Sequence, residues 1–74
     1  MLPKSVEAVL VGIQPLSVHG QVIWDVAFTP ADAPAAPTIA RIGPESVDPG
    51  LVPGDRILVD SLFGIVSRIR RAPG

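Results

Sequence analysis

The sequence predicts an all-β domain, a five-stranded small barrel with little or no helix. Three observations lead there. Runs of β-branched and aromatic residues recur between turn signals spaced by about ten residues. Nine prolines and seven glycines in 74 residues interrupt every stretch long enough to make a helix. "VIWDVAFT" (Val22–Thr29) alternates with the period of two that belongs to a strand with one covered face.

The first strand is expected over Ser5–Leu16. Its short, continuous apolar run predicts burial on both faces. Gly12 near the middle marks a bend or bulge, and Pro15 is expected to end the pairing. Ser17–Gln21 supplies a turn in which Gly20 takes positive φ. In the second strand Val22, Trp24, Val26 and Phe28 share the core face, and Ile23, Asp25, Ala27 and Thr29 the other.

"PADAPAAP" (Pro30–Pro37) holds three prolines and four alanines, which predicts an extended connector or loop tip. Thr38–Ile42 is a short third strand. Between Gly43 and Asp55 only one helical turn fits, around Glu45–Asp48. The Pro-Gly pairs at 49–50 and 53–54 favour type II turns, since proline presets the second position and glycine tolerates the third. Arg56–Asp60 and Gly64–Arg70 are the last two strands, joined through Ser61–Phe63.

Alternation in this hairpin puts Ile57 and Val59 inside. Counting by two from Ile65 adds Ser67 and Ile69 to its face, the core face for the two isoleucines, and turns Val66, Arg68 and Arg70 outward. Arg56 also points out. With Arg71 at the strand end and Arg41 on the third strand, these arginines are candidates for an interface or a phosphate-binding wall. A long bent first strand, a 1-2-3 meander, a linker and a closing hairpin follow the order of an OB-like barrel. The weak helix suits an SH3-like barrel as the alternative.

Size and composition limit what such a domain does. The whole chain, residues 1–74, makes one domain near the lower limit at which a core stabilises a chain unaided. There is no cysteine for a disulfide or thiolate metal site, and His19 is the one histidine. Charged residues are 18% of the chain, below the roughly 25% of an average domain. So apolar a small chain exposes apolar surface, and that predicts contacts with copies of itself or another protein. A net charge of −1 carries no global nucleic-acid signature, but of six basic residues only Lys4 lies in the first forty. Ala8–Ile13 is too short to cross a bilayer and lacks the features of a secretory signal. A soluble chain, cytoplasmic or incorporated in a particle, is the expectation.

Two resemblances carry further expectations. In "PGDRILVDSLFGIVSRI" (Pro53–Ile69), Gly54, Asp55, Ile57, Leu58, Val59, Phe63 and Ile65 match a pattern of Gly-Asp turn, apolar strand, Gly/Phe step and Ile-rich strand. The segment, about a quarter of the chain, resembles the C-terminal half of the small hydrogenase-maturation chaperones. That resemblance implies an OB-like barrel. The family's working cysteine follows its initiator methionine; here Leu2 stands there, so the chemistry does not carry over. "SVDPGLVPGDRILV" (Ser46–Val59) is similar to the serine box of leader peptidases, with Ser46, Pro49, Leu51, Gly54 and Asp55 in register. Those enzymes draw a lysine base from a later strand, whereas the one lysine here is Lys4.

No phosphate-cradling loop, metal cluster or repeat stands out, and no cofactor or small-molecule substrate is implied. The expectation is a non-enzymatic structural or assembly module. It would form a homo-oligomer or pack into a larger assembly, a phage particle included, through apolar barrel faces. The alternative is an OB-like protein that binds single-stranded nucleic acid through the C-terminal arginines.

Overall fold

A computed structural model describes residues 4–73. β1 (Lys4–Val18), β2 (Gln21–Pro30) and β3 (Thr38–Ile42) form a meander, a 3-10 turn follows at Pro44–Ser46, and β4 (Arg56–Leu62) and β5 (Ile65–Arg71) form a hairpin. All five strands lie in one antiparallel sheet with the order β3-β2-β1-β4-β5. No α-helix occurs among the described residues, so none is long and apolar enough to cross a membrane.

β1 is the central strand. Its first half pairs with β4 from Lys4↔Ser61 to Val9↔Arg56, and it pairs with β2 from Ala8↔Pro30 to Val18↔Gln21. The register changes between Leu10 and Gly12, leaving Val11 as the extra residue of a bulge. The predicted bend is thus present beside Gly12. It lets one strand serve two partners at different angles.

Two expectations for β1 fail. Pairing does not stop at Pro15, which sits opposite Trp24 in an unbroken ladder. No strand pairs with the other edge of β1 beyond Val9, and proline is tolerated where an edge needs no donor. Nor is β1 buried on both faces: Ala8 and Leu10 are buried, while Val9 and Val11 between and beyond them are exposed. A single curled sheet covers only its concave side.

The two hairpins turn on two residues each, and both central residues take positive φ: His19 (51°) with Gly20 (79°), and Phe63 (54°) with Gly64 (78°). This is the backbone that matches the twist of flanking strands, and it favours Asn, Asp or Gly. A bulky side chain there costs of order 1–2 kcal/mol, so Phe63 is held in a strained position while 66% exposed. Gly54 has φ 97° in a turn closed by Asp55 N–H donating to Val52 O at 3.1 Å. The proline-rich loop is a tip of tight turns, with Ala33 N–H donating to Pro30 O at 3.2 Å and Ala36 N–H to Ala33 O at 3.0 Å.

The core gathers on the concave face: Ala8 and Leu10 from β1, Val26 and Phe28 from β2, Ile42 from β3, Leu51 from the long loop, Ile57 and Val59 from β4, and Ile69 from β5. Burying each of Leu10, Ile57 and Ile69 contributes roughly 1.5–3 kcal/mol. Trp24 is half-buried against the edge of this cluster.

Val22 and Ile65, both expected inside, are 52% and 71% exposed. Val22 keeps the correct alternation but lies beyond the cover, since β3 pairs with β2 only from Trp24 to Phe28. Ile65 is turned out by a second bulge. Asp60 pairs with Arg68 and Ser61 with Val66, which leaves Ser67 over and reverses the alternation before it. Val66, expected outside, packs on the core instead.

The sheet does not close by a ladder between β3 and β5. β3 stops at Gly43–Pro44, where proline has no N–H to offer. The following segment spans the gap: Val47 makes a parallel bridge to Ile69, and Asp48 N–H donates to Ile69 O at 3.0 Å.

Candidate assembly surface

Each of the five arginines is met by a carboxylate of the same chain. Arg41 on β3 lies in register with Asp25 on β2, Nε to Oδ1 3.7 Å. Arg56 at the start of β4 donates from Nη2 to Glu7 Oε1 at 2.9 Å. Arg68 on β5 reaches Asp48 Oδ1 at 3.3 Å. Arg70 grips Asp60 with two bonds, Nε to Oδ2 at 2.8 Å and Nη2 to Oδ1 at 3.0 Å. Arg71 spans from Asp55 Oδ2 at 3.5 Å to Pro49 O at 3.3 Å. The arginines do face outward, Arg70 half-buried and the rest exposed. The field they set up is balanced pair by pair.

Two pairs do more than balance charge. Asp48 accepts Arg68 on Oδ1 and the Arg71 backbone N–H on Oδ2 at 2.9 Å, so one carboxylate fastens the long loop to β5. Asp60 accepts both Arg70 bonds and the Ser5 hydroxyl, which ties β4 to its neighbours on either side. The Arg70 guanidinium holds the Asp60 carboxyl below its ordinary value, against partial burial and with help from Ser5. Asp60 in turn raises Arg70.

A depressed carboxylate stabilises the fold fully above its unfolded value of about 3.9. That stability is lost as pH falls through the lower folded value. Melting temperature should therefore fall on acidification below about pH 4, and Asp60→Asn should flatten that part of the profile. An unchanged acid limb in Asp60→Asn would show that other carboxylates set it.

The remaining polar candidates are scattered. Ser46 lies in the 3-10 turn, its N–H donating to Gly43 O at 3.0 Å, while Lys4 lies at the other end of the sheet opposite Ser61. His19 is at the β1–β2 turn, away from Asp25. No three His, Asp or Glu side chains among the described residues converge on one point.

What the surface does concentrate is apolar area. On the convex face Val9, Val11 and Ile39 are exposed. There a depression of about 400 Å³ has Gly12 and Ala27 on adjacent strands, with Ile39 and Pro53 beside them and Asp25 and Gln14 at its polar end. Asp25 Oδ1 is inaccessible there and takes no hydrogen bond. At one end of the molecule a socket of about 200 Å³ is lined by the apolar side chains of Ile13, Trp24, Pro44, Val47, Pro49 and Leu51, with Asp48 and Gly50 completing its wall. At the other, Leu62, Phe63 and Ile65 form an exposed hairpin tip. Sequence reasoning missed the socket, because the long loop lends it six of its eight lining residues. The tip escapes it because simple alternation assigns Ile65 to the core; the "LFG" step is its visible signal. No family model, no curated protein and no solved structure matches this chain.

Proposed function

We propose that the chain is a non-enzymatic assembly module, which forms a homo-oligomer or packs into a larger protein assembly through its apolar surfaces. The observation that carries this reading is the contrast between the two kinds of exposed side chain. All five arginines are engaged by the chain's own carboxylates, whereas Val9, Val11, Ile39, Val52, Leu62, Phe63 and Ile65 are large, exposed and apolar. A contact surface of this kind gains by leaving water, and the balanced arginines supply polar register at its rim. The bulged first strand, the meander and a C-terminal hairpin that returns to β1 favour an OB-like topology over an SH3-like one.

Nucleic-acid binding has less support. Base stacking along a strand needs several exposed aromatic rings, yet Phe28 is buried and Trp24 half-buried, which leaves Phe63 at the hairpin tip as the single exposed ring. Phosphate would also have to compete with a carboxylate beside each arginine. Light scattering over a range of concentrations, with and without a mixed-sequence single-stranded oligonucleotide, tests the choice. A discrete multimer whose mass ignores the oligonucleotide is expected. A monomer that gains mass only with the oligonucleotide would overturn the assembly reading.

A further inference from the structure

The hairpin tip and the socket lie at opposite ends of the same sheet. β5 runs from Ile65 beside the tip to Arg71, whose guanidinium holds Pro49 at the socket's rim. Six residues of strand separate the two, about 20 Å at ~3.3 Å per residue. We propose that copies of this chain join head to tail, with Phe63 of one copy seated in the Trp24 socket of the next. This rests on the assembly reading and gives it a specific surface and partner: a second copy of the chain.

Three features support that occupant. Phe63 occupies the first position of a turn suited to Asn, Asp or Gly, with φ 54°, and projects into solvent instead of the core. Strain of this sort is retained where something outside the local fold uses the side chain. The socket is lined mainly by apolar side chains, Trp24, Ile13, Pro44, Val47, Pro49 and Leu51; its one charged member, Asp48, is already engaged by Arg68 and the Arg71 N–H, and the volume of about 200 Å³ suits one aromatic ring.

Charge gives the third. Among the described residues the arginines and five acids pair within the chain, and Lys4, Asp32 and Glu45 make no ion pair. Lys4 sits opposite Ser61 beside the tip; Glu45 follows Pro44 at the socket. Head-to-tail contact sets the lysine's end against the glutamate's. Asp32 shares a cleft with Lys4, so the attraction is local to the lysine.

Because knob and socket are different surfaces, the contact is heterologous and propagates into a ring or an open filament. The test uses two full-length variants. Phe63→Asn removes the knob and installs a residue the turn prefers, so it should be monomeric and, compared at a dilution where the wild type is also dissociated, melt no lower than it. Pro49→Lys places a charge at the socket's rim on an exposed turn and should also be monomeric. Mixed at high concentration, since a single junction lacks ring closure, the two should form a 1:1 heterodimer in sedimentation equilibrium. Each supplies the half its partner lacks. A wild-type multimer whose mass survives Phe63→Asn, or variants that stay monomeric on mixing, would overturn the head-to-tail contact and leave assembly to another surface. A wild type monomeric at every concentration would overturn self-association altogether.

Discussion

Ile57→Ala is expected to destabilise the fold by roughly 2–5 kcal/mol, enough to leave much of the population unfolded. Ile57 is fully buried on β4, between β1 and β5, and lies opposite Ala8 and Arg71. Its cross-strand neighbour in the core is an alanine, so no larger side chain is at hand to collapse into the hole. A chain of this length has about a tenth of a kcal/mol of stability per residue, on the order of 4–11 kcal/mol in all. Thermal melts followed by circular dichroism on dilute protein should show a drop of about 10 °C or more, at ~4–8 °C per kcal/mol. Ile65→Ala is the control. Exposed by the Ser67 bulge, Ile65 should be replaceable within about 0.5 kcal/mol in the monomer. Equal losses in the two variants would mean that β5 pairs without the bulge and that Ile65 faces the core.

Asp48→Ala is expected to cost about 2 kcal/mol, because it removes a charged acceptor from a backbone N–H as well as from an arginine. The Arg71 N–H and the Arg68 guanidinium both lose their partner. The loop keeps its backbone bond to β5, from Asp48 N–H to Ile69 O, and at its far end the two bonds between Gly54–Asp55 and Leu10 of β1. The effect should be local first. Hydrogen exchange at the Asp48 and Arg71 amides should accelerate at least tenfold while the β1–β2 amides stay protected. Asp48→Asn, which retains an acceptor oxygen, should recover more than half of the loss. If Asp48→Asn is as damaging as Asp48→Ala, the Arg68 charge pair and not the backbone bond holds the loop.

The class of the fold was legible in the chain because strand periodicity and turn chemistry are local. Val26 and Phe28, Ile57 and Val59, and the glycines of the Pro-Gly turns all stand where alternation and φ preference put them. Alternation fails where pairing geometry intervenes. A bulge at Ser67 reverses the faces of Ile65 and Val66, and nothing in "GIVSRIR" marks which residue will be left over. Val22 shows a different limit: its face is right, but whether that face is covered depends on the length of β3. The arginine partners were hidden for a similar reason. Glu7 and Arg56 are 49 residues apart, and Asp48 and Arg68 are 20 apart. Only the register of strands distant in sequence brings them together.

The strand order has a consequence for how the chain reaches its fold. β1 is made before its β4 partner by a long interval: Ser5 meets Asp60, 55 residues later. The meander of β1, β2 and β3 assembles from neighbours, whereas the β1–β4 ladder must wait for loop closure across most of the chain. Such non-local pairing slows folding toward the millisecond-to-second range. Until it forms, the edge of β1 and the apolar side chains of β4 stand open to other chains at once. A module that assembles through apolar surfaces thus passes through a nascent state whose exposed edge could capture the wrong neighbour, and the order in which its strands close decides which contact comes first.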